Sequence, residues 1–488
     1  MTPRQQAAPS LRTFVLGAIA VMVALRLAFL GVPAGRDEAG FLIVGNAWGH
    51  GASLYGDYWV DRPPLLVELM DLAGTVTVLR LLGLLACVLM VLGVSRAAYV
   101  VRGAAAARWA AGAAALMAAA PWFGVARTNG EMLASPFVAW GFALAAQALL
   151  RPGPRSRVLA LGAGALAGCA LLIKQTIADG LVFAVVLGVA IAWQERSRRR
   201  EVLVVLGAGG LGLLAVLALG LVGAAARGTT PHELFDAIVT FRAQAGEVIR
   251  RSASGATTQR LWVLLATWLG SGLAFISALT AWQALRHREP VVLATVGVVA
   301  FVSGAAILGG SYWGHYLFQL IPAAALATGL LFDRIGRRAR LGLAAFIVVM
   351  TAGNLAWNVI EASEEGRQAE VVGTWLSQSG HTGDTAVIAY GQPNVLGNAE
   401  MSSPYPYLWS LPVRTLDPDL TTLSRVLDGP ARPTWVVDWS GIRTWGIEPA
   451  RVTVALGRHY RHVAEMCGRS VWLDRRVERT LADPGACP

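Results

Sequence analysis

Arg36-Asp37-Glu38 stands where the first apolar run ends, and Asp61-Arg62-Pro63-Pro64-Leu65-Leu66 follows a little further on. A carboxylate pair at a membrane boundary is costly to hold and is rarely kept without use. Between the two stretches lies Phe41-Leu42-Ile43-Val44-Gly45-Asn46-Ala47-Trp48, whose apolar residues suit a helix lying on the membrane surface. The double proline forbids a continuing helix and fixes a turn. An acidic pair just outside the bilayer, in a chain that is otherwise mostly membrane, points to an enzyme.

The rest of the composition agrees with a membrane setting. Of 488 residues, 55% are hydrophobic and only 15% charged, well below the roughly 25% of ordinary soluble proteins. Mean hydropathy is +0.54. Apolar runs of about 20 residues recur, each long enough to cross a bilayer. The 54 glycines suit close packing of membrane helices. The net charge of +11 would suggest nucleic acid in a soluble protein. Here the arginines cluster between the spans, and no basic face with interleaved aromatics appears, so a nucleic-acid partner is excluded.

The pattern predicts about eleven spans, roughly 11–32, 73–95, 104–121, 132–150, 158–174, 177–194, 202–226, 261–284, 291–309, 316–332 and 340–360. The first is too long for a signal-peptide core and reads as a retained helix behind a short basic terminus carrying Arg4 and Arg12. Arginine-rich connections around Arg96, Arg151, Arg196, Arg286 and Arg337 all fall on the side of the N-terminus if every span crosses once. The positive-inside rule then places the N-terminus in the cytoplasm and the C-terminus outside. Arg26 and Arg80 lie within spans and are expected to snorkel. The outer side receives the loop of about 35–72, the turn at Asn129-Gly130-Glu131, Lys174-Gln175-Thr176, a loop from Arg227 to Arg260, and Tyr312-Trp313-Gly314-His315-Tyr316.

The domains are thus a membrane portion, 1–360, and a soluble tail, 361–488. The tail reads as a small extracytoplasmic α/β domain, with a helix near Glu365–Ser379 and strands near 385–390, 434–439 and 470–473. Cys87 and Cys169 lie in apolar spans and read as packing residues. Cys467 and Cys487 can pair if the tail is outside the cell. No repeat of fixed period is present.

Each candidate has a plain reading beside its chemical one. Asp37 and Glu38 are either first-turn acids of a helix or a general base, metal or acceptor site. Arg62 is either part of a loop re-entering the membrane or a cation for an anionic head group. Lys174, the only lysine, is either a snorkelling span end or a phosphate ligand. His315 is either a satisfied interfacial histidine or a phosphate ligand, and Arg250-Arg251, a basic pair that breaks the positive-inside pattern, is either a solvated loop or a phosphate site. Glu131 is a first-turn acid or a second carboxylate facing the substrate. Ser403-Pro404-Tyr405-Pro406-Tyr407-Leu408-Trp409 is a packed loop, or a surface that stacks on sugar or brushes the membrane.

Taken in order, a first span, Asp37-Glu38, an interfacial helix, Gly51-x-x-x-Tyr55 and Arg62-Pro63-Pro64-Leu65 resemble the large membrane glycosyltransferases of the GT-C fold. The branch they resemble is glycosyltransferase family 39, the protein mannosyltransferase and aminoarabinose transferase group. Asn129-Gly130-Glu131 with Pro136-Phe137, Gly168–Thr176 and Gly314–Pro322 also resemble that family's outer turns. The resemblance covers residues 11–330. It implies a polyprenyl-phosphate sugar donor, a cell-envelope glycan, glycolipid or protein acceptor, and Asp37 as general base with Glu38 as the fallback. A single displacement would invert the anomeric centre. Arg62, Lys174, His315, Arg250 and Arg251 are the candidates for the departing phosphate, and Glu131, Tyr58 and Tyr316 for substrate contact. The family's aminoarabinose branch implies a divalent cation, although no cluster with ligand spacing is present. Arginine-rich, lysine-poor usage suggests a GC-rich genome, and for such a source the resemblance implies decaprenyl-phosphate arabinose or polyprenyl-phosphate mannose as donors. A transporter or lipid-linked sugar flippase is the alternative. It fits less well, because transporters place ionisable groups near the midplane, often within repeats.

Overall fold

The structure, a computed structural model, describes residues 10–251, 255–332, 334–360, 364–444 and 447–488. Arg4 and the expected tail boundary at Glu361 lie outside these residues. The chain is a multi-pass helical membrane protein with a small sheet domain. Seven of its helices are long and apolar enough to cross a membrane, or eight if Gly255–Gly270 and Leu273–His287, bent by 63° at their junction, form one span. Eleven spans were expected, and the difference has three sources. The segments 73–95 and 104–121 merge into one 44-residue helix, Val76–Ala119, interrupted at Gly103. Leu11–Leu27 is only 17 residues long and Asp179–Gln194 only 16, so both fall short of a full crossing by length. At Gly103 the backbone takes φ 78°, ψ −162°, a region that only glycine enters without strain.

By contacts the chain forms two compact units. The first comprises Met1–Leu30, Arg80–Gly220 and Gly255–Ile360, and the second Gly31–Leu79, Leu221–Ser254 and Glu361–Pro488. The segments Gly31–Leu79 and Leu221–Ser254 therefore pack with the tail in one body.

In the first unit, helix packing relies on small residues. A Cβ on Gly164 would sit 1.8 Å from the carbonyl oxygen of Gly209, and one on Gly212 would sit 2.0 Å from that of Leu161. The Ser156–Ile173 and Arg199–Ala226 helices thus touch backbone to backbone, which membrane helices use where no hydrophobic effect drives association. Charges in this unit are paired or capped. Arg26 does not snorkel: it is buried and donates to the Ala118 carbonyl at 2.9 Å. Arg80 likewise donates to the Leu30 carbonyl at 2.8 Å, satisfying a helix end that has no water at hand. Arg102 and Arg334, from two of the arginine-rich connections, both pair with Glu289.

In the second unit the tail carries a four-stranded sheet in the order β1-β2-β4-β3, with β1 Ala386–Ala389, β2 Trp435–Asp438, β3 Tyr460–Met466 and β4 Arg469–Asp474. β1 and β2 are parallel; β2–β4 and β4–β3 are antiparallel. Three strands match the sequence reading. β3 escaped it because Arg461, His462 and Glu465 break up its apolar pattern, as befits an edge strand. Cys467 and Gly468, at φ 51° and 70°, make the tight turn between β3 and β4. Cys467 is joined to Cys487 by a disulfide. Val387, Tyr405, Leu423, Leu427, Val436, Leu456 and Tyr460 fill the core beside the sheet.

Asp384 closes this domain. Its carboxylate takes Arg479 Nε at 3.0 Å and Nη2 at 2.6 Å, the Trp435 indole N–H at 3.1 Å and the His381 backbone N–H at 3.0 Å. Burial pushes the carboxyl up, but these donors outweigh it and hold the group at about 2. A depressed carboxyl stabilises the fold above its unfolded value, roughly 3.9, and that contribution is lost as pH falls toward 2. Asp384→Asn is expected to cost about 2 kcal/mol at pH 7. In thermal unfolding of the purified chain the gap from wild type should be widest at neutral pH and should close between about pH 4 and pH 2. A gap that does not change with pH would refute the assignment.

Candidate functional site

In the second unit, the Arg36–Gly49 helix starts at Gly35 and divides its two acids between two tasks. Glu38, 1% exposed, turns back to accept the Gly35 N–H at 3.1 Å, capping its own helix. Asp37, one residue earlier, is half-buried, and its Oδ1 accepts the indole N–H of Trp409 at 3.0 Å. The Trp409 ring also packs on Phe41, with centroids 5.2 Å apart.

The turn that follows is a hydrogen-bonded knot. Arg62 Nη1 lies 2.5 Å from Asp61 Oδ1, and its guanidinium sits 5.3 Å from the centre of the Phe41 ring. Tyr55 donates its hydroxyl to the Arg62 carbonyl at 2.9 Å. Burial pushes the Tyr55 phenol up, with the Asp61 charge adding to it, so it stays a donor. The other Asp61 oxygen takes Arg242 Nη2 at 2.5 Å. Tyr58, placed among the substrate contacts by sequence, is buried, and its hydroxyl accepts the Ser403 N–H at 2.9 Å. Its visible task is to tie the outer loop to the tail. Arg250 and Arg251 end the exposed Phe241–Arg251 helix, and both pair with Glu247 one turn back. Their charge is thus partly neutralised on the helix surface, an arrangement typical of a solvated face.

In the first unit, Asn129 caps the Gly130–Leu150 helix through the Met132 N–H at 2.9 Å, setting Glu131 in its first turn. Glu131 forms an ion pair with Lys174, whose position just past the Ser156–Ile173 helix brings it there. Both side chains are buried, and burying either charge alone would cost several kcal/mol. The Lys174 ammonium also lies 4.4 Å from the centre of the Tyr316 ring. The edge of His315 meets that ring at 5.0 Å, and Trp313 stacks at 6.5 Å from His315. A Cβ on Gly124, at φ 67°, would come within 2.8 Å of the His315 Cβ, so glycine is required for this approach.

The structure brings Glu131, Lys174, His315 and Tyr316 together in the first unit, and in the second it sets Asp37 and Glu38 on the helix whose Phe41 carries Arg62; sequence reasoning had named these residues without grouping them so. It missed Arg242, and it missed Asp179. Asp179 is fully buried, with Oδ2 accepting Gln319 Nε2 at 2.6 Å and Oδ1 left without a partner among the described residues. An ionisable residue inside the apolar run 177–194 was the signal that could have flagged it. Among the described residues no group of three or more His, Cys, Asp or Glu side chains gathers to hold a metal ion, so no ligand set for a divalent cation is at hand.

No protein-family model matches the sequence, and no curated protein matches it. Solved structures do. ArnT from Cupriavidus metallidurans, bound to undecaprenyl phosphate, is similar with a TM-score of 0.66 at 15% identity, over 94% of this chain and 98% of that one. The archaeal oligosaccharyltransferase AglB from Archaeoglobus fulgidus, in complex with an inhibitory peptide and a dolichol-phosphate, gives a TM-score of 0.54 at 14% identity, over 93% of this chain and 73% of that one. Identities this low speak to architecture alone. The chain has the GT-C fold of these membrane glycosyltransferases.

Proposed function

We propose that the chain is an inverting glycosyltransferase that moves a sugar from a polyprenyl-phosphate carrier to a hydroxyl acceptor on the outer face of the cytoplasmic membrane. The observation that carries this reading is the division of labour at the start of the Arg36–Gly49 helix. Glu38 is engaged in capping, whereas among the described residues Asp37 has one oxygen bonded, to Trp409. Asp37 is the carboxylate available to a substrate. In the proposed reaction the acceptor oxygen bonds to the anomeric carbon, its proton passes to Asp37, and the bond to the carrier phosphate breaks with its electron pair leaving on the phosphate. The phosphate departs as an anion and calls for positive charge. Arg62 is the first candidate and Lys174 and His315 are the next; Arg250 and Arg251 rank lower because Glu247 holds them. The sugar is proposed to be mannose or arabinose, and the acceptor a cell-envelope glycan, glycolipid or protein. The tail is proposed to lie outside the cell, where a disulfide such as Cys467–Cys487 persists.

A transporter or lipid-linked sugar flippase is the second reading. Asp179 and the Glu131–Lys174 pair favour it, because ionisable groups buried among spans often mark a transport path.

Reconstitution with labelled polyprenyl-phosphate mannose and arabinose separates the two. The expected result is sugar transfer that falls at least about a hundred-fold in Asp37→Asn. Movement of substrate across the vesicle, with no transfer from any polyprenyl donor, would favour the transporter. Full transfer by Asp37→Asn would remove the base assignment.

The Glu131–Lys174 pair yields a further outcome. Lys174→Met alone strands a buried carboxylate and should cost about 3 kcal/mol or more in thermal unfolding, whereas Lys174→Met with Glu131→Gln should recover most of that loss. Transfer that stays low in the recovered double variant would mark Lys174 as a phosphate cation. Transfer that returns with stability would mark the pair as structural.

A further inference from the structure

The proposed base is held from the tail by a single side chain. Trp409 starts the Ser410–Leu416 helix, far along the chain from Asp37, yet within the same compact unit its indole N–H meets Asp37 Oδ1 at 3.0 Å. The ring lies across the first turn of the Arg36–Gly49 helix. A Cβ added to Gly40 would come 2.3 Å from Trp409 Cζ2 and 2.9 Å from Pro393 Cγ, so only glycine at position 40 admits the ring. Phe41 carries both neighbours: Trp409 packs at 5.2 Å and the Arg62 guanidinium at 5.3 Å from its ring centre.

The segment that presents Trp409 is itself pinned. The Ser403 N–H bonds the Tyr58 hydroxyl at 2.9 Å, the Trp59 N–H bonds the Pro406 carbonyl at 3.0 Å, and Asn394 reaches the Ala34 carbonyl at 3.2 Å. These ties fix the tail loop on both sides of Asp37, so the indole is held in place rather than resting on the surface.

We infer that Trp409 is a positioning residue for transfer: its N–H fixes the rotamer of Asp37 and leaves Oδ2 to receive the acceptor proton. The chemistry suits the task. An indole N–H only donates, so it cannot compete for that proton. A first-turn aspartate otherwise swings onto nearby backbone N–H groups, and a hydrogen bond to an ionised acceptor is strong enough to prevent this. This inference rests on Asp37 being the base.

The test uses the full chain in the reconstituted transfer assay. Trp409→Phe keeps an aromatic ring on Gly40 and Phe41 but removes the donor. Its expected result is a fall in kcat of about ten- to a hundred-fold, with KM for the polyprenyl-phosphate donor and the thermal midpoint close to wild type. Trp409→His returns an N–H and should recover part of the lost kcat. In an Asp37→Ala background, Trp409→Phe should cost nothing further. Wild-type kcat in Trp409→Phe, while Asp37→Asn is inactive, overturns this inference and leaves the base assignment standing. An active Asp37→Asn instead removes the base assignment itself. A fall in kcat that tracks a lowered thermal midpoint and is not recovered by Trp409→His marks Trp409 as packing only, and likewise overturns it.

Discussion

A short amphipathic loop cannot hold a carboxylate in a defined orientation by itself. Residues 31–79 have too little apolar surface to fold alone, and ordering them costs roughly 1–2 kcal/mol per residue in backbone entropy. What offsets that cost is the rest of the unit, Leu221–Ser254 and the tail. Trp59 packs on Phe241 at 4.2 Å and on Tyr407 at 6.4 Å, forming a small core with Ala237 and Ala245. Hydrogen bonds between the loop and 394–406, one backbone to backbone and two through the Tyr58 and Asn394 side chains, add to this. The geometry around Asp37 is thus a property of the whole unit, and the tail is part of its scaffold.

The membrane unit obeys a different constraint. With no water to satisfy polar groups, each buried charge needs a partner inside the protein. Glu131 has Lys174, and Arg26 and Arg80 have the Ala118 and Leu30 carbonyls. The small residues that bring helices into backbone contact leave little room for alternatives, so these pairs are fixed by packing as much as by attraction.

Much of this was legible in the sequence, because hydropathy and arginine placement report directly on lipid contact. The membrane class, most of the spans, the acidic first turn and the proline turn were visible, although seven or eight spans stand where eleven were expected. The residues that escaped do so for identifiable reasons. Gly103 breaks a helix within an apolar stretch, where composition does not distinguish one long helix from two spans. The edge strand Tyr460–Met466 is too polar to stand out. Trp409 was visible only as part of an aromatic loop, because a hydrogen bond to a residue so distant in sequence leaves no local pattern. The division between Glu38 and Asp37 likewise depends on which carboxylate turns back to Gly35, a matter of one rotamer.

Lys174 has a consequence beyond its ion pair. It is the only lysine in the sequence, and it is buried, so the chain's surface cations among the described residues are arginines and histidines. Its ε-amine is therefore a native spectroscopic and chemical handle, shielded while paired with Glu131. Amine-directed reagents pass over guanidinium groups, so Lys174 is the one side chain they can label, and its burial against Glu131 slows that labelling until the pair opens. The protein thus carries its own reporter of breathing motions in the membrane unit, with no engineered label required.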